Sequence, residues 1–148
     1  MVDADRSQFS LANTVPERRF EIRVGKMSLP DTFDINSIGA DSHLQFTNWT
    51  IDNNGAWDYA ADTRGYTVGG ILEYDDKVWS ARYGIAAMPT VANGIDLDWA
   101  FSRASGQNWE FELRKGIFAP LLDAKRKGTV RILSYVNHAH TWAPTARR

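Results

Sequence analysis

Alternation of apolar and polar residues with a period of two is the feature that most restricts what this chain can fold into. The run RFEIRVGKM, residues 19–27, places Phe20, Ile22 and Val24 on one side and charged residues on the other. Successive side chains of a β-strand point to opposite faces, so such a run predicts a strand with one apolar and one polar face. Comparable runs at residues 66–74, 77–87, 109–115 and 129–138 bring the predicted strands to five.

The predicted strands are long. Most of these runs cover about 9 to 11 residues, whereas strands of soluble proteins average about 5 to 6 residues. A strand that crosses a bilayer at a tilt needs about 9 to 11. In the fifth run the facing is ambiguous, because Val130 and Ile132 compete with Leu133 and Tyr135 for the apolar side.

The hairpin between the second and third strands has a predictable register. A two-residue turn at Asp75 and Asp76 would pair Leu72 with Trp79 and Val68 with Tyr83, so that apolar residues face apolar residues. A slip by one residue would place Leu72 beside a polar-face position, so the pattern favours a single register.

The links between the predicted strands are short at one end of the sheet and long at the other. The short links are Asp75-Asp76 and residues 119–127, and the long ones are residues 29–64 and 89–108. Within the first long loop, residues 41–51 carry an Asp cap and spaced apolar residues, which predict a short helix.

Composition excludes several classes of protein. The net charge is -1, which offers no general attraction to nucleic acid, so no nucleic-acid partner is expected. The chain contains no cysteine, which removes disulfides and thiolate sites. No apolar run approaches the ~20 residues of a membrane helix, and the N-terminus shows no signal peptide. The chain is therefore expected to be cytosolic, or else a mature or partial chain.

The two faces allow two interpretations. Tyr66, Tyr74, Trp79 and Trp109 lie near strand ends on the apolar face, as in the aromatic girdles of a membrane barrel. A soluble sandwich or a lipocalin-like core is the alternative. The polar face mixes charged and small residues, typical either of a water-filled lumen or of ordinary solvated pairs. The candidate pore-lining residues are Arg23, Glu73, Arg82, Glu110, Glu112 and Arg114.

Several segments carry a family resemblance. They are VGKMSLPDTFD (residues 24–34), NWTIDNNGAWDYAADTRGYT (residues 48–67), the hairpin that follows, and LSYVNHAH (residues 133–140). Their order and spacing, between about residues 19 and 140, resemble the carbohydrate-selective outer-membrane porins of Gram-negative bacteria, the OprB-like group. The resemblance implies an all-β, antiparallel up-and-down transmembrane β-barrel of roughly sixteen strands. It also implies in-folded loops, passive uptake of sugars and small polar solutes, and a location in the cell outer membrane.

The chain is short for such a barrel. With its long loops, 148 residues leave room for about five to six strands, and an open edge in hydrocarbon costs several kcal/mol per unpaired backbone group. Residues 1–148 are therefore expected to form a single partial barrel domain, an internal piece whose partners are outer-membrane lipid and the remainder of the barrel.

The first long loop contains the candidate sugar-binding residues. Aromatic rings can stack on the C–H face of a sugar, and charged side chains can hydrogen-bond its hydroxyls. In the alternative interpretation, Asp62 pairs with Arg64 while the aromatic residues pack the loop. The candidates are Asp52, Trp57, Asp58, Tyr59, Asp62 and Arg64.

A soluble carbohydrate-binding or glycoside-hydrolysing β domain is the alternative function. Paired carboxylates for hydrolysis could come from Asp52, Asp58 and Asp62, or from Asp96 and Asp98. Nothing in the sequence indicates their separation, so no enzyme activity and no catalytic residue is expected. His43, His138 and His140 are too few to predict a metal site, and no cofactor is expected.

Overall fold

Five long strands form the main sheet of the computed structural model, which describes residues 2–3, 14–36, 39–40, 53–114 and 128–139. Each strand pairs antiparallel with the next along the chain, so the sheet is an up-and-down meander. The predicted all-β class and antiparallel order are confirmed. A small separate ribbon consists of β1 (Val2–Asp3) and β2 (Thr14–Val15). The main sheet consists of β3 (Arg19–Met27), β4 (Thr67–Asp75), β5 (Trp79–Ala87), β6 (Ser105–Arg114) and β7 (Thr129–His138).

The main sheet has two open edges. Within the described ranges β3 pairs only with β4, and β7 pairs only with β6, so the sheet is not closed into a barrel. In that same part of the chain, no helix has both the length and the apolar character for crossing a membrane. The helix predicted in residues 41–51 and the short link at residues 119–127 lie outside the described residues.

The hairpin between β4 and β5 differs from the prediction. Leu72 faces Tyr83 rather than Trp79, and Asp75 faces Ser80. The predicted turn at Asp75 and Asp76 is therefore wrong, because β4 continues through Asp75. The backbone N–H of Asp76 donates to the Trp79 carbonyl at 2.8 Å, so the chain reverses after Asp76. The register is displaced by four residues (83 − 79 = 4), an even number, and the facing of every side chain is unchanged.

The apolar face of the sheet, called the outer face here, exposes large side chains that no other described residue covers. Val24 is 82% exposed, Phe20 is 62% exposed and Ile132 is 63% exposed. Monomeric soluble proteins rarely expose contiguous apolar patches of more than a few hundred Å². The other large apolar residues exposed on this face are Ile22, Leu72, Tyr74, Trp109, Phe111, Val130 and Val136.

Strand β7 acquires a definite facing in the structure. Val130 and Ile132 lie opposite Leu113 and Phe111 on the outer face. Leu133 instead packs against the buried cluster on the other side of the sheet. The ambiguity in this run is resolved because only one of its two sides meets the loops that cover the sheet.

The hydrophobic core lies on the polar side of the sheet, called the inner face here. Loop residues Leu29, Phe33 and Trp57 are buried in one cluster with Ile71 and Ala86 of the sheet. A short 3₁₀ helix, Leu29–Asp31, begins the covering segment, with a proline in its first turn. In the part of the chain that the structure describes, loops thus cover the inner face and none covers the outer face.

Small residues on the inner face make room for these loops. A Cβ added to Gly84 would lie 2.9 Å from Cε2 and Cζ of the buried Phe33 ring. We expect Gly84→Ala to lower the free energy of unfolding by about 1–3 kcal/mol, because the ring has nowhere to move. Urea unfolding of the folded protein measures the change.

Gly70→Ala is the matched control for this prediction. A Cβ on Gly70 would meet Arg23 O and Val24 Cγ2 at 3.8 Å, which is ordinary contact. If Gly84→Ala proves no more destabilising than Gly70→Ala, the packing of Phe33 on β5 is not as described.

Candidate functional site

Opposite charges on three neighbouring strands meet at the centre of the inner face. The register places Glu73 of β4 opposite Arg82 of β5, and Arg82 opposite Glu110 of β6. Nε of Arg82 lies 2.6 Å from Glu73 Oε1, and its Nη1 lies 2.5 Å from Glu110 Oε1 and 3.2 Å from Glu112 Oε2. One guanidinium therefore holds three carboxylates, using the planar fork that distinguishes arginine from lysine.

The ion pairs continue to both edges of the sheet. Arg114 bridges Glu112 at 2.5 Å and Asp75 at 2.7 Å, and Arg23 bridges Glu21 at 2.6 Å and Glu73 at 3.1 Å. Arg19 adds contacts to Asp75 and Glu21, and Arg131 adds one to Glu112. This inner-face network joins five arginines to five carboxylates: Arg19, Arg23, Arg82, Arg114 and Arg131 with Glu21, Glu73, Asp75, Glu110 and Glu112.

The predicted pore-lining residues all belong to this network, but they differ in exposure. Glu73, Glu110 and Glu112 are buried, and the side chain of Arg82 is 8% exposed. The side chains of Arg23 and Arg114 are 40% and 33% exposed. Arg23 and Arg114 are therefore accessible to solvent in the structure, while the other four predicted pore-lining residues are covered.

Residues 29–36, called the strap here, cover the centre of the network. Arg23 Nη1 donates to Thr32 Oγ1 at 3.0 Å, and the backbone N–H of Asp34 donates to Glu110 Oε2 at 2.6 Å. Arg131 Nη1 donates to the Ile35 carbonyl. Hydrogen bonds to charged groups are stronger than neutral ones, so the strap is bound at three points along its length.

The second covering segment is the loop from residue 53 to residue 66. Trp57 is buried, and its Nε1 donates to Asn108 Oδ1 at 2.8 Å. Its ring packs against Phe33 and Tyr59, with centroids 6.3 and 5.0 Å away. This loop therefore packs on both the strap and the sheet.

Two residues of β7 hold the same loop from the far edge of the sheet. Tyr135 Oη donates to the Ala56 carbonyl at 2.6 Å, and Asn137 Nδ2 donates to the Asp58 carbonyl at 2.5 Å. The loop thus extends across the inner face to the last strand.

Asp62 organises the end of the loop. Its Oδ1 accepts the backbone N–H groups of Arg64 and Tyr66 at 2.8 and 3.1 Å, and its Oδ2 accepts Arg64 Nη2 at 2.9 Å. Burial acts to raise the pKa of Asp62, but these hydrogen bonds outweigh it, so the pKa lies below the ordinary aspartate value. The charged carboxylate closes the turn that leads into β4.

The lowered pKa of Asp62 predicts a pH-dependent turn. The stabilisation is complete above the pKa of the carboxyl in the unfolded chain, and it is lost as pH falls through the lower pKa of the folded state. We expect the Tyr66 amide to lose protection from hydrogen exchange on acidification from about pH 7 to about pH 2, after correction for intrinsic rates. In Asp62→Asn the protection should not depend on pH, and an equal loss in both proteins would refute the role of the carboxylate.

The predicted sugar-binding residues are only partly brought together. Asp58, Tyr59 and Asn93 line two adjoining grooves of about 550 and 510 Å³, and Asp62 and Arg64 also line the second. Trp57 is buried under the loop and does not line these grooves. Asp62 pairs with Arg64, as in the alternative interpretation of this loop. Asp52 lies outside the described residues.

Several residues of the site were not found from the sequence. Asn108 continues the alternation of Glu110 and Glu112 in β6, a signal that could have placed it on the inner face. The strap contacts of Thr32 and the loop contacts of Tyr135 left no sequence signal, because their partners are distant in the chain.

The described residues were compared with the geometry of metal sites. No group of three His, Asp or Glu side chains with metal-site geometry occurs in the residues that the structure describes. Asp98 accepts the Ala100 backbone N–H at 2.8 Å and thus acts within its own loop.

Comparison with models of known protein families gave no match, and comparisons with curated proteins and with solved structures gave none either. The resemblance of the quoted segments to carbohydrate-selective porins therefore stays a prediction. Function has to be inferred from the two faces of the sheet and from the loops.

Proposed function

We propose that this chain is part of an outer-membrane porin that allows passive diffusion of sugars and other small polar solutes. In this proposal the main sheet is a sector of an antiparallel transmembrane β-barrel. The observation that supports this proposal is that the two faces of the sheet are arranged in the opposite way to those of a soluble protein. The apolar outer face is uncovered, whereas the charged inner face bears the ion pairs and the packed loops.

The lengths of the strands support the proposal. Strands β3 to β7 have 9 or 10 residues each, and a strand tilted by about 45° spans a bilayer with about 9 to 11 residues. A membrane barrel alternates lipid-facing apolar residues with polar lumen-facing residues. The observed exposure pattern is that alternation with its apolar side outward.

Aromatic side chains are placed as an interfacial girdle would place them. Trp79, at the short-turn end of β5, packs against Tyr74 and Phe111 with ring centroids 5.2 and 5.9 Å apart. Tyr and Trp keep a polar tip hydrated while the ring is buried, which suits the boundary between headgroups and acyl chains. In this proposal the short turns lie at one membrane surface and the covering loops enter from the other.

The open edges of the sheet also agree with the proposal. Unpaired N–H and C=O groups on β3 and β7 would cost several kcal/mol each in hydrocarbon. In a barrel, further strands would pair with both edges. The remainder of the barrel is therefore a proposed partner of this chain.

The long-loop end supplies the proposed contacts for sugars. Asp58, Tyr59, Arg64 and Asn93 line open grooves rather than an enclosed cavity. A channel needs sites that bind a solute strongly enough to admit it and weakly enough to release it. Open grooves agree with passage better than with a tight, enclosed binding site.

Spin labels on the outer face test the orientation of the sheet. The full-length protein that carries this chain would be labelled singly at Phe20, Val68, Leu72, Tyr83 or Phe111 and reconstituted in lipid. We expect collisions with oxygen to dominate over collisions with a water-soluble nickel complex, because these positions face acyl chains. A label at Val91, an exposed apolar loop residue, is the aqueous control.

Labels that were accessible to the nickel complex, or buried against a second protein layer, would favour a soluble carbohydrate-binding or glycoside-hydrolysing domain. Swelling of liposomes in sugars of graded size tests the transport itself. If the labels face lipid but the liposomes admit no sugar, the membrane-barrel fold would be supported and the porin function would be refuted.

A further inference from the structure

Three polar contacts that join the strap to the sheet depend on one set of connected charges. Thr32 is bound by Arg23, the Asp34 N–H is bound by Glu110, and the Ile35 carbonyl is bound by Arg131. These three residues come from β3 at one edge of the sheet and from the neighbouring strands β6 and β7 at the other edge. The strap therefore bridges most of the width of the inner face.

Arg82 connects all three contacts. It binds Glu110 directly, it binds Glu73, which holds Arg23, and it binds Glu112, which holds Arg131. Each of these three contacts is thus made by Glu110 itself or by an arginine that shares a carboxylate with Arg82. Removal of this one guanidinium would take an ion-pair partner from all three carboxylates at once.

Apolar packing holds the strap in the same position. Phe33 is completely buried, and its ring packs against β5 at Gly84, which has no side chain. Leu29 is buried in the same cluster. Polar and apolar contacts thus agree on one placement, which is typical of a fixed element rather than a mobile lid.

We propose, on the basis of the proposed function, that the strap is a permanent inner lining of the pore wall that sets the upper size of the solute, with Arg82 as its positioning residue. The centre of the inner-face network lies behind this lining and outside the solute path. Permeating solutes meet the exposed side of the strap and the loop, where Asp31, Ile35 and Asn54 are exposed. Size selection then depends on how firmly the strap is bound to the wall.

Arg82→Lys tests the anchor without changing the charge. A lysine ammonium lacks the fork that joins Glu73, Glu110 and Glu112. Loss of support for one charge-assisted hydrogen bond should speed hydrogen exchange of the Asp34 amide at least about fivefold. The measurement uses mass spectrometry on the full-length protein in lipid. Arg18→Lys, at an exposed pair with Asp76, is the control and should not change exchange in the strap.

Thr32→Val tests the anchor by a milder change that leaves all charges in place. It removes the acceptor for Arg23 while keeping the shape of the side chain. Both Thr32→Val and Arg82→Lys should raise the rate of liposome swelling in a trisaccharide relative to a pentose, at least about twofold, with β-sheet circular dichroism retained. Thr129→Val, an exposed threonine of β7, should leave this ratio unchanged.

The outcomes separate the two proposals. A strap whose amides exchange as fast as an unstructured peptide overturns the anchor, whether or not the protein conducts sugars. Folded variants with faster strap exchange and an unchanged swelling ratio overturn the role in size selection. A protected strap in a protein that admits no sugar supports the anchor but refutes the porin function, and with it the size limit.

Discussion

In the proposed membrane barrel, Leu72→Arg is expected to lower the free energy of unfolding by about 2–4 kcal/mol, since arginine on the lipid face near the bilayer midplane has a cost of this size. Leu72 lies on the outer face between Ile22 of β3 and Tyr83 of β5, away from the strand ends. Reversible urea unfolding in lipid vesicles measures the effect.

The same substitution separates the two candidate functions. Leu72 is 41% exposed, and in a soluble domain a substitution at such a surface position changes stability by only about 0.5 kcal/mol or less. Val91→Arg is the matched control, because Val91 is an exposed apolar residue of a loop outside the sheet. Equal and small effects of the two substitutions would count against a lipid-facing sheet.

Arg82→Met is expected to lower the free energy of unfolding by about 3–5 kcal/mol, the range observed when one partner of a buried ion pair is removed. The substitution keeps much of the side-chain volume, but it leaves the buried Glu110 without the arginine that pairs with it and takes one of the arginine partners from Glu73 and Glu112. Burial of unpaired charge is more costly than the loss of the attraction alone.

Arg18→Ala provides the comparison for Arg82→Met. The Arg18 side chain is 66% exposed and pairs with Asp76 at 2.9 Å near the short turn. Exposed pairs contribute about 0–1 kcal/mol, so urea unfolding should show a small change. If Arg82→Met were as mild as Arg18→Ala, the central carboxylates would have to be hydrated rather than buried.

The strands themselves could be predicted because their signal is local. The bounds of β3 and β7 coincide with the expected runs at residues 19–27 and 129–138. The period of two depends only on the geometry of an extended chain, so it is readable without tertiary information. The six charged residues assigned to one face lie on one face for the same reason.

The turn between β4 and β5 could not be predicted in this way. Asp75 and Asp76 have the local chemistry of a turn, but the side chain of Asp75 is bound by Arg19 and Arg114 on the inner face. Both partners lie tens of residues away in the sequence. Local propensity was therefore overridden by ion pairs that form only once the sheet exists.

Trp57 illustrates the same limit within the candidate site. As part of a polar, aromatic loop it resembles a residue that stacks on a sugar. In the structure it is buried between Phe33 and Tyr59 and donates to Asn108, which is 51 residues away. The sequence shows that the ring is in a loop, but not which surface the loop covers.

The sequence by itself determined that there are five amphipathic strands and which side chains share a face, because alternation follows directly from backbone geometry. Only the tertiary structure decided which face is covered. That outcome depends on where residues 29–36 and 53–66 pack, through contacts of Thr32, Phe33 and Trp57 with partners that alternation cannot specify. Long-range packing placed the loops on the charged face, and that placement left the apolar face open.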